Sequence, residues 1–429
     1  MSRLVIRGGH VICPAQNING VTDVRLDDGR IDAVGDHLDA AGAEVIEADG
    51  AYVAPGFLDI HVHLREPGFE RAETIESGGW CAAESGFTSV CCMPNTKPVN
   101  DSAEVTRYIV ETARAQSPVN VFPIGAISKS SLGEELADLA AMKAAGAVAF
   151  SDDGRPVMNS GIMRQAMEAA RALDLPIVDH CEDLNLTAGA TMHEGIASSK
   201  LAQLGMPAAA EDIMVARDLI LAELTGVRYH VAHISTRYSI RMVEHAKRLG
   251  LPVTCEITPH HFTIGDQHLH ELDSNFKMKP PLRASVDLAA ALDGITSHII
   301  DSIATDHAPH PPEEKSLAFE RCPFGILGLE TAIALTLDRL VHPGLISVRH
   351  MVELFTTGAE KTMRLGRGTL RAGSPGDVTI FGLKHEWTYD VTRTKSKSRN
   401  TPFHGRVFRG GPLASIVNGR VVWRNPVFA

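Results

Sequence analysis

Between residues 57 and 304, short apolar runs alternate with stretches of helical periodicity, and this alternation restricts the fold more than any other property of the chain. The runs fall at 57–60, 88–92, 120–124, 147–151, 176–178, 229–232, 253–257 and 299–304. Between them, stretches such as 160–173, 210–224 and 240–249 carry apolar residues at the period of a helix buried on one face. Strands joined by helical crossovers run parallel. Eight such units predict an α/β protein built on a (β/α)8, TIM-type barrel. A doubly wound open sheet is the alternative. No G-x-G-x-x-G follows an early strand, which argues against its dinucleotide-binding form.

The two ends have a different texture. Residues 1–54 hold short β-segments (4–6, 10–12, 24–26, 30–34 and 44–46) broken by Gly, Asn and Asp, and residues 365–429 repeat the pattern at 377–381, 406–408, 414–417 and 419–423. Such runs between turn residues read as antiparallel sheet. Both ends are expected to form one small β-sandwich domain beside a catalytic barrel at 55–364.

The net charge of −11 argues against a nucleic-acid partner. No apolar run approaches the roughly 18–20 residues of a membrane span, and the first residues read as strand and turn, not as a signal peptide. Four of the seven cysteines (Cys91, Cys92, Cys181, Cys255) sit in or at the end of apolar runs, and no C-x-x-C pair is present. That pattern suits reduced, buried thiols and a cytoplasmic location, and it argues against a cysteine zinc site.

In a barrel of this kind, the residues that follow each strand share one rim. Strand one ends in His61, His63 and Arg65, and strand two leads to Asn95. Strand four leads to Asp152 and Asp153, strand five to His180, strand six to His233, strand seven to His260 and His261, and strand eight to Asp306 and His307. His61 and His63, two apart on an extended chain, face the same way. Four imidazoles and two carboxylates suit a two-metal site: His61, His63 and Asp306 on one ion, His180 and His233 on the other, with Asp153 or its neighbour Asp152 between them. Imidazole and carboxylate without thiolate fit Zn²⁺, with Mn²⁺ or Co²⁺ as alternatives. Such a pair can activate a water and polarise a carbonyl. Asp306 beside that water can take its proton and pass it to a leaving nitrogen. Arg65 offers a fork for a carboxylate and Asn95 both a donor and an acceptor, so the expected substrate is small and carries a carboxylate and an amide. His307, His260, His261 and His310 are not all expected to be functional, Glu256 has no assigned role, and the basic run 393–399 reads as a solvated turn.

The motifs His61-Val62-His63-Leu64-Arg65-Glu66-Pro67-Gly68 and Cys92-Met93-Pro94-Asn95-Thr96-Lys97-Pro98 resemble those of dihydroorotases of the amidohydrolase superfamily. So do Ser151-Asp152-Asp153-Gly154, Asp179-His180-Cys181-Glu182-Asp183, His230-Val231-Ala232-His233, Thr258-Pro259-His260-His261, Pro280-Pro281-Leu282-Arg283, Ala304-Thr305-Asp306-His307-Ala308-Pro309-His310 and 396–402. The resemblance covers almost the whole chain. It implies reversible hydrolysis of (S)-dihydroorotate to N-carbamoyl-L-aspartate in pyrimidine synthesis, with one or two zinc ions per subunit. It assigns the bridge to Asp153, catalysis to Asp306, and substrate contacts to His63, Arg65, Asn95, His310, Phe324 and Gly325. Many relatives bridge their metals with a carboxylated lysine. No Lys lies between Lys143 and Lys200, so the chain resembles the aspartate-bridged branch. It departs from the family at Lys279, where many dihydroorotases place a substrate-binding Asn before Pro-Pro-Leu-Arg; a lysine there meets a carboxylate as a point charge.

The resemblance leaves room for a homodimer and for an aspartate transcarbamoylase partner. Three rival readings use the same residues. A hydantoinase or allantoinase would open other cyclic amides; the Arg65/Asn95 pair and the missing lysine argue against it. An inactive scaffold for the transcarbamoylase would have lost ligands that this chain keeps. A structural zinc domain would be closed and often thiolate-rich, which this site is not.

Overall fold

The structure is a computed structural model and describes residues 3–428. Its first strands are β1 (Arg3–Cys13), β2 (Ile18–Asp27), β3 (Arg30–Gly35), β4 (Glu44–Glu47) and β5 (Tyr52–Pro55). The segments expected at 4–6 and 10–12 are one strand, β1, bent by a register shift between Ile6 and Gly9. Gly8 makes the bend at φ +70, where a Cβ would lie 2.7 Å from Asp49 Oδ1. β2 pairs with β1 and β3 in antiparallel fashion, while β4 and β5 pair with β1 in parallel.

The central strands are β6 (Phe57–Val62), β7 (Phe87–Cys92), β8 (Asn120–Pro123) and β9 (Ile177–Asp179), then a short pair β10 (Met192–His193) and β11 (Gly205–Met206), then β12 (Tyr229–Val231), β13 (Val253–Ile257) and β14 (Ser302–Ile303). They form two parallel sheets, β6-β7-β8 and β9-β12-β13-β14, with β10-β11 apart. Every residue of β6, β7 and β13 is buried, as expected of parallel strands covered on both faces. The expected helices stand at Ser160–Ala172, Ala209–Thr225 and Arg237–Arg248. The last begins earlier than its apolar period suggests because Thr236 caps it, accepting the Ser239 N–H.

Two expected strands differ. The run at 147–151 is not a strand; it makes only single bridges, Gly125–Phe150 and Phe150–Ile177. Its neighbour Pro176 has no N–H with which to extend the ladder. The run at 299–304 shortens to Ser302–Ile303. A further bridge joins Val62 to His307, and the His63 N–H donates to the His307 carbonyl at 2.9 Å.

The chain then returns to its start. β15 (Val378–Thr388), β16 (Val407–Val417) and β17 (Arg420–Arg424) join the N-terminal strands in one eight-stranded sheet. The runs expected at 406–408 and 414–417 are both part of β16. β15 lies antiparallel to β5, with Val378 opposite Pro55 and Phe381 opposite Tyr52. Leu4, Val24 and Ile46 from one end of this sheet share a core with Val53, Ile380 and Ile416 from the other. Phe57 at the start of β6 stacks on Phe355 and packs against Phe381, so the first central strand is anchored to the end sheet. Full burial of such a ring contributes about 1.5–3 kcal/mol. Among the described residues, no helix is long and apolar enough to cross a membrane. All seven cysteines are free and buried.

Candidate metal centre and active site

The C-terminal ends of the parallel strands and the loop after Phe150 bring six residues together. Asp153 lies at the centre. Its Oδ1 is 3.5 Å from His61 Nε2, 3.5 Å from His180 Nδ1 and 3.4 Å from His233 Nε2, and its Oδ2 is 3.5 Å from His63 Nε2. Asp306 Oδ1 stands 3.0 Å from His63 Nε2 and 3.5 Å from His61 Nε2. All six side chains are buried. His233 (φ +32) and Asp306 (φ +48) adopt left-handed backbone conformations, which non-glycine residues rarely hold without support from their surroundings. Ligand atoms of His61, His63 and Asp306 converge within 4.8 Å of one another, and so do those of His61, Asp153 and His233. Asp152 turns away: it accepts hydrogen bonds from the N–H groups of Ile127 and Ser128 and from the Ser128 hydroxyl.

A set of outer partners orients the imidazoles. His61 Nδ1–H donates to Glu256 Oε1 at 2.6 Å, His63 Nδ1–H to Asn95 Oδ1 at 2.8 Å, and His180 Nε2–H to Glu182 Oε2 at 2.9 Å. In each ring the opposite nitrogen keeps its lone pair for the cluster. Burial pushes the Glu256 carboxyl up, and His61 and His230 overcome this and hold it at about 2. Burial likewise opposes ionisation of Asp153, and the imidazoles of His61, His180 and His233 hold it well below the usual carboxylate range.

His61 Nε2 and Asp153 Oδ1 are buried and have no hydrogen-bond partner among the described residues. Buried polar atoms are nearly always partnered. Two orphans that face each other across 3.5 Å, inside four imidazoles and two carboxylates, fit a divalent cation between them.

Half-buried side chains surround this cluster. Arg65 (φ +63) donates from Nε to the Pro309 carbonyl at 3.1 Å, and its Nη2 lies 3.2 Å from His310 Nε2. Burial lowers the guanidinium to about 10, which leaves it cationic at neutral pH. His310 Nε2 is 2.8 Å from the Phe324 carbonyl, so Arg65, His310 and Phe324-Gly325 form one unit. Lys279 meets a carboxylate of the chain itself. Its Nζ donates to Glu182 Oε1 at 2.7 Å and lies 5.0 Å from the centre of the Phe324 ring. The lysine is thus joined through Glu182 to His180.

Several contributors escape sequence reasoning. Glu256 sits mid-strand, where the direction of its side chain is not legible without the fold. Glu182 lies inside a quoted motif, and its two oxygens are divided between His180 and Lys279. Asn400 donates to the carbonyls of Ala308 and Gly325 and accepts the His310 N–H, which ties 396–402 to the rim. Lys315 donates to the carbonyls of Pro323 and Gly325. Of the remaining histidines, His307 contacts Glu73 Oε2 at 3.4 Å and His261 bonds Thr258 and the Pro280 carbonyl, both away from the cluster. His260 Nε2 is buried without a hydrogen-bond partner among the described residues.

The comparisons with known proteins agree with this geometry. A dihydroorotase from Solibacter usitatus is 63% identical over 420 residues, covering 98% of each chain. The chain belongs to the dihydroorotase family. A dihydroorotase from Pelotomaculum thermopropionicum is 48% identical over 425 residues, 99% of each chain. The family model described as dihydro-orotase-like matches residues 50–239, which in this dihydroorotase-family chain include His61, His63, Asp153, His180 and His233. Among solved structures, the L-hydantoinase (dihydropyrimidinase) from Arthrobacter aurescens superposes with a TM-score of 0.89 at 24% identity, over 99% of this chain and 96% of that one. The D-hydantoinase (dihydropyrimidinase) from Thermus sp. does so with 0.86 at 25%, over 99% and 96%. The fold is therefore shared beyond the dihydroorotases.

Proposed function

We propose that the chain is a metal-dependent dihydroorotase that reversibly hydrolyses (S)-dihydroorotate to N-carbamoyl-L-aspartate, a step of pyrimidine synthesis in the cytoplasm. The observation that carries this reading is the buried cluster of four histidines and two aspartates directly beneath the Arg65–His310–Phe324 unit. His61, His63, Asp153, His180, His233 and Asp306 would hold one or two ions, with Zn²⁺ favoured by the donor set and Mn²⁺ or Co²⁺ as alternatives. When bound, the metal supplies Lewis acidity toward a water and the ring carbonyl.

The chain's own residues do the rest. Asp306, 3.0 Å from His63 Nε2, is an ionised acceptor at neutral pH because His63 and His61 outweigh its burial. It takes the proton of the attacking water and returns it to the ring nitrogen as the C–N bond breaks. Arg65 meets the exocyclic carboxylate as a fork. Asn95 accepts from His63 through Oδ1 and keeps its amide N–H groups for a ring carbonyl. His310 and the Phe324-Gly325 backbone border the other side of the substrate, and Lys279 closes the rim above Glu182. Asp306→Asn should fold and retain metal, yet lose at least about 10³-fold in turnover, within the 10²–10⁴ range of a general base. Turnover within tenfold of wild type would refute its role. A panel of dihydroorotate, hydantoin and allantoin separates this activity from the hydantoinase-like alternative.

The reading includes a closed (β/α)8 barrel at 55–364, with 1–54 and 365–429 as one small β-domain. The bridges at Phe150 and between Val62 and His307 are the hydrogen bonds expected where the two parallel sheets meet. The cleft between helices Ala209–Thr225 and Arg237–Arg248 supports a homodimer. Ile213, Ile220, Tyr238 and Leu249 are exposed there, with Ile220 66% accessible. Asp212 and Glu223 border one wall, Arg241 and His245 the other, so a two-fold copy would set acid against base. Ile220→Glu should give a monomer by light scattering. A monomeric wild type would overturn this interface, and an interface used only by an aspartate transcarbamoylase would leave the isolated chain monomeric.

A further inference from the structure

A second group of metal-capable side chains lies far from the active site. His298 occupies the turn after helix Ser285–Thr296, just before β14, in a left-handed conformation (φ +59). His350 and Glu353 stand three residues apart on helix Val348–Phe355 and so share one of its faces. The imidazoles of His298 and His350 are stacked, with centroids 3.9 Å apart and planes at 18°. One ligand atom from each of the three residues lies within 4.8 Å of the other two. His298 is exposed, Glu353 half-buried and His350 buried, so the group opens to solvent on one side. Because His298 precedes β14, the trio lies near the N-terminal ends of the strands, opposite the rim that carries Asp306.

From these positions we propose that His298, His350 and Glu353 form a separate, exchangeable binding site for a divalent transition ion such as Zn²⁺. Two imidazole nitrogens and a carboxylate oxygen are the donor set of many zinc sites. With three protein ligands, the remaining coordination falls to water, which makes the site open and weaker than a closed structural centre. The ion draws the three atoms closer, toward ligand distances of about 2.0–2.2 Å. Binding takes the exposed His298 ring out of its stack on His350 so that the in-plane lone pairs of the two imidazoles converge, and the half-buried Glu353 turns toward them. Glu353 now accepts from Arg349 Nε at 3.1 Å, a half-exposed contact that the ion displaces easily.

The surroundings favour a ligand at this place. Both histidines donate hydrogen bonds through their backbone N–H groups, His298 to the Ile295 carbonyl and His350 to Ser347 Oγ. The bound ion links the turn before β14 to helix Val348–Phe355. Its effect is to stiffen the lower end of the strand that continues to Asp306.

The test uses the full chain with its catalytic centre already loaded, titrated with ZnCl₂ by isothermal calorimetry and by thermal melting. Wild type should bind one further equivalent and melt at higher temperature as zinc rises. His298→Ala, a surface change outside the active site, should lose both responses with turnover unchanged. Glu353→Gln should weaken the added equivalent. Equal stoichiometry and equal melting response in wild type and His298→Ala would overturn the proposal, as would the absence of a further equivalent in wild type.

Discussion

Replacing Glu256 by Gln probes the metal centre without touching a ligand. Glu256 is fully buried. It accepts from His61 Nδ1 at 2.6 Å on one oxygen and from His230 Nε2 at 3.1 Å on the other, and the His233 N–H reaches the first oxygen at 3.3 Å. Gln has nearly the same shape, so packing is kept. With its carbonyl toward His61 and its amide nitrogen toward His230, His61 retains its tautomer. His230 then moves its proton to Nδ1, where Thr254 Oγ1, 2.7 Å away, can accept it. Only the negative charge is lost. Hydrogen bonds to charged groups contribute about 1.5–3 kcal/mol and neutral ones about 0.5–1.5, so the His61 contact weakens by about 1–1.5 kcal/mol. Changes behind a ligating histidine cost about 10–100-fold in metal affinity. Since the bond itself survives, the expected loss is at the lower end, about tenfold or about 1.4 kcal/mol. The assay is metal content by mass spectrometry across a series of chelator-buffered free Zn²⁺ concentrations, beside a melting curve. An occupancy curve that overlays wild type would refute the claim that Glu256 sets the donor strength of His61.

Two other perturbations read different parts of the site. Lys279→Met removes the ammonium 2.7 Å from Glu182 and leaves that carboxylate with His180 and Thr187. By the argument used for Glu256, the freed carboxylate charge makes His180 a stronger donor and metal affinity should rise, whereas a change in KM alone would show that Lys279 serves the substrate and not the Glu182–His180 pair. His310 is held down to about 2 by burial and by Arg65, so below pH about 6.5 the unfolded chain binds a proton that the folded chain refuses. Stability from this residue is therefore complete above pH 6.5 and falls as pH drops, by about 2–3 kcal/mol near pH 4.5 at about 1.4 kcal/mol per pH unit. Denaturant midpoints of His310→Asn should decline less steeply over pH 6.5–4.5; parallel curves would place the acid sensitivity elsewhere.

The strand-end residues were legible in the sequence because two signals coincide there: an apolar run that stops, and a histidine or aspartate that follows. That coincidence singles out His61, His63, His180, His233 and Asp306 and leaves Asp152 and Asp153 both open, a choice that only the family resemblance makes. It did not reach Glu256, which lies within β13 where alternation gives no inside or outside in a strand buried on both faces. Nor did it reach the Glu182–Lys279 pair, whose members are far apart in the chain and meet only in space. Residues 147–151 show the limit for secondary structure. The run has the composition of a strand, yet its pairing is cut short by the missing N–H of Pro176, a residue outside the run.

The pairing of β5 with β15 has a consequence for how the chain is made. Tyr52 must wait for Phe381 to leave the ribosome before the two strands can join. At about 5–20 residues per second the delay is about twenty seconds to a minute. Throughout it β5 presents an open edge on the nascent chain, the kind of edge that recruits strands from other molecules. The centre of the molecule can assemble in order of synthesis, but the end sheet closes last, after the final strands are released. Premature termination between Asp306 and β15 would thus leave a chain with its metal ligands complete and an unguarded sheet edge, fit for chaperone capture or proteolysis before any turnover.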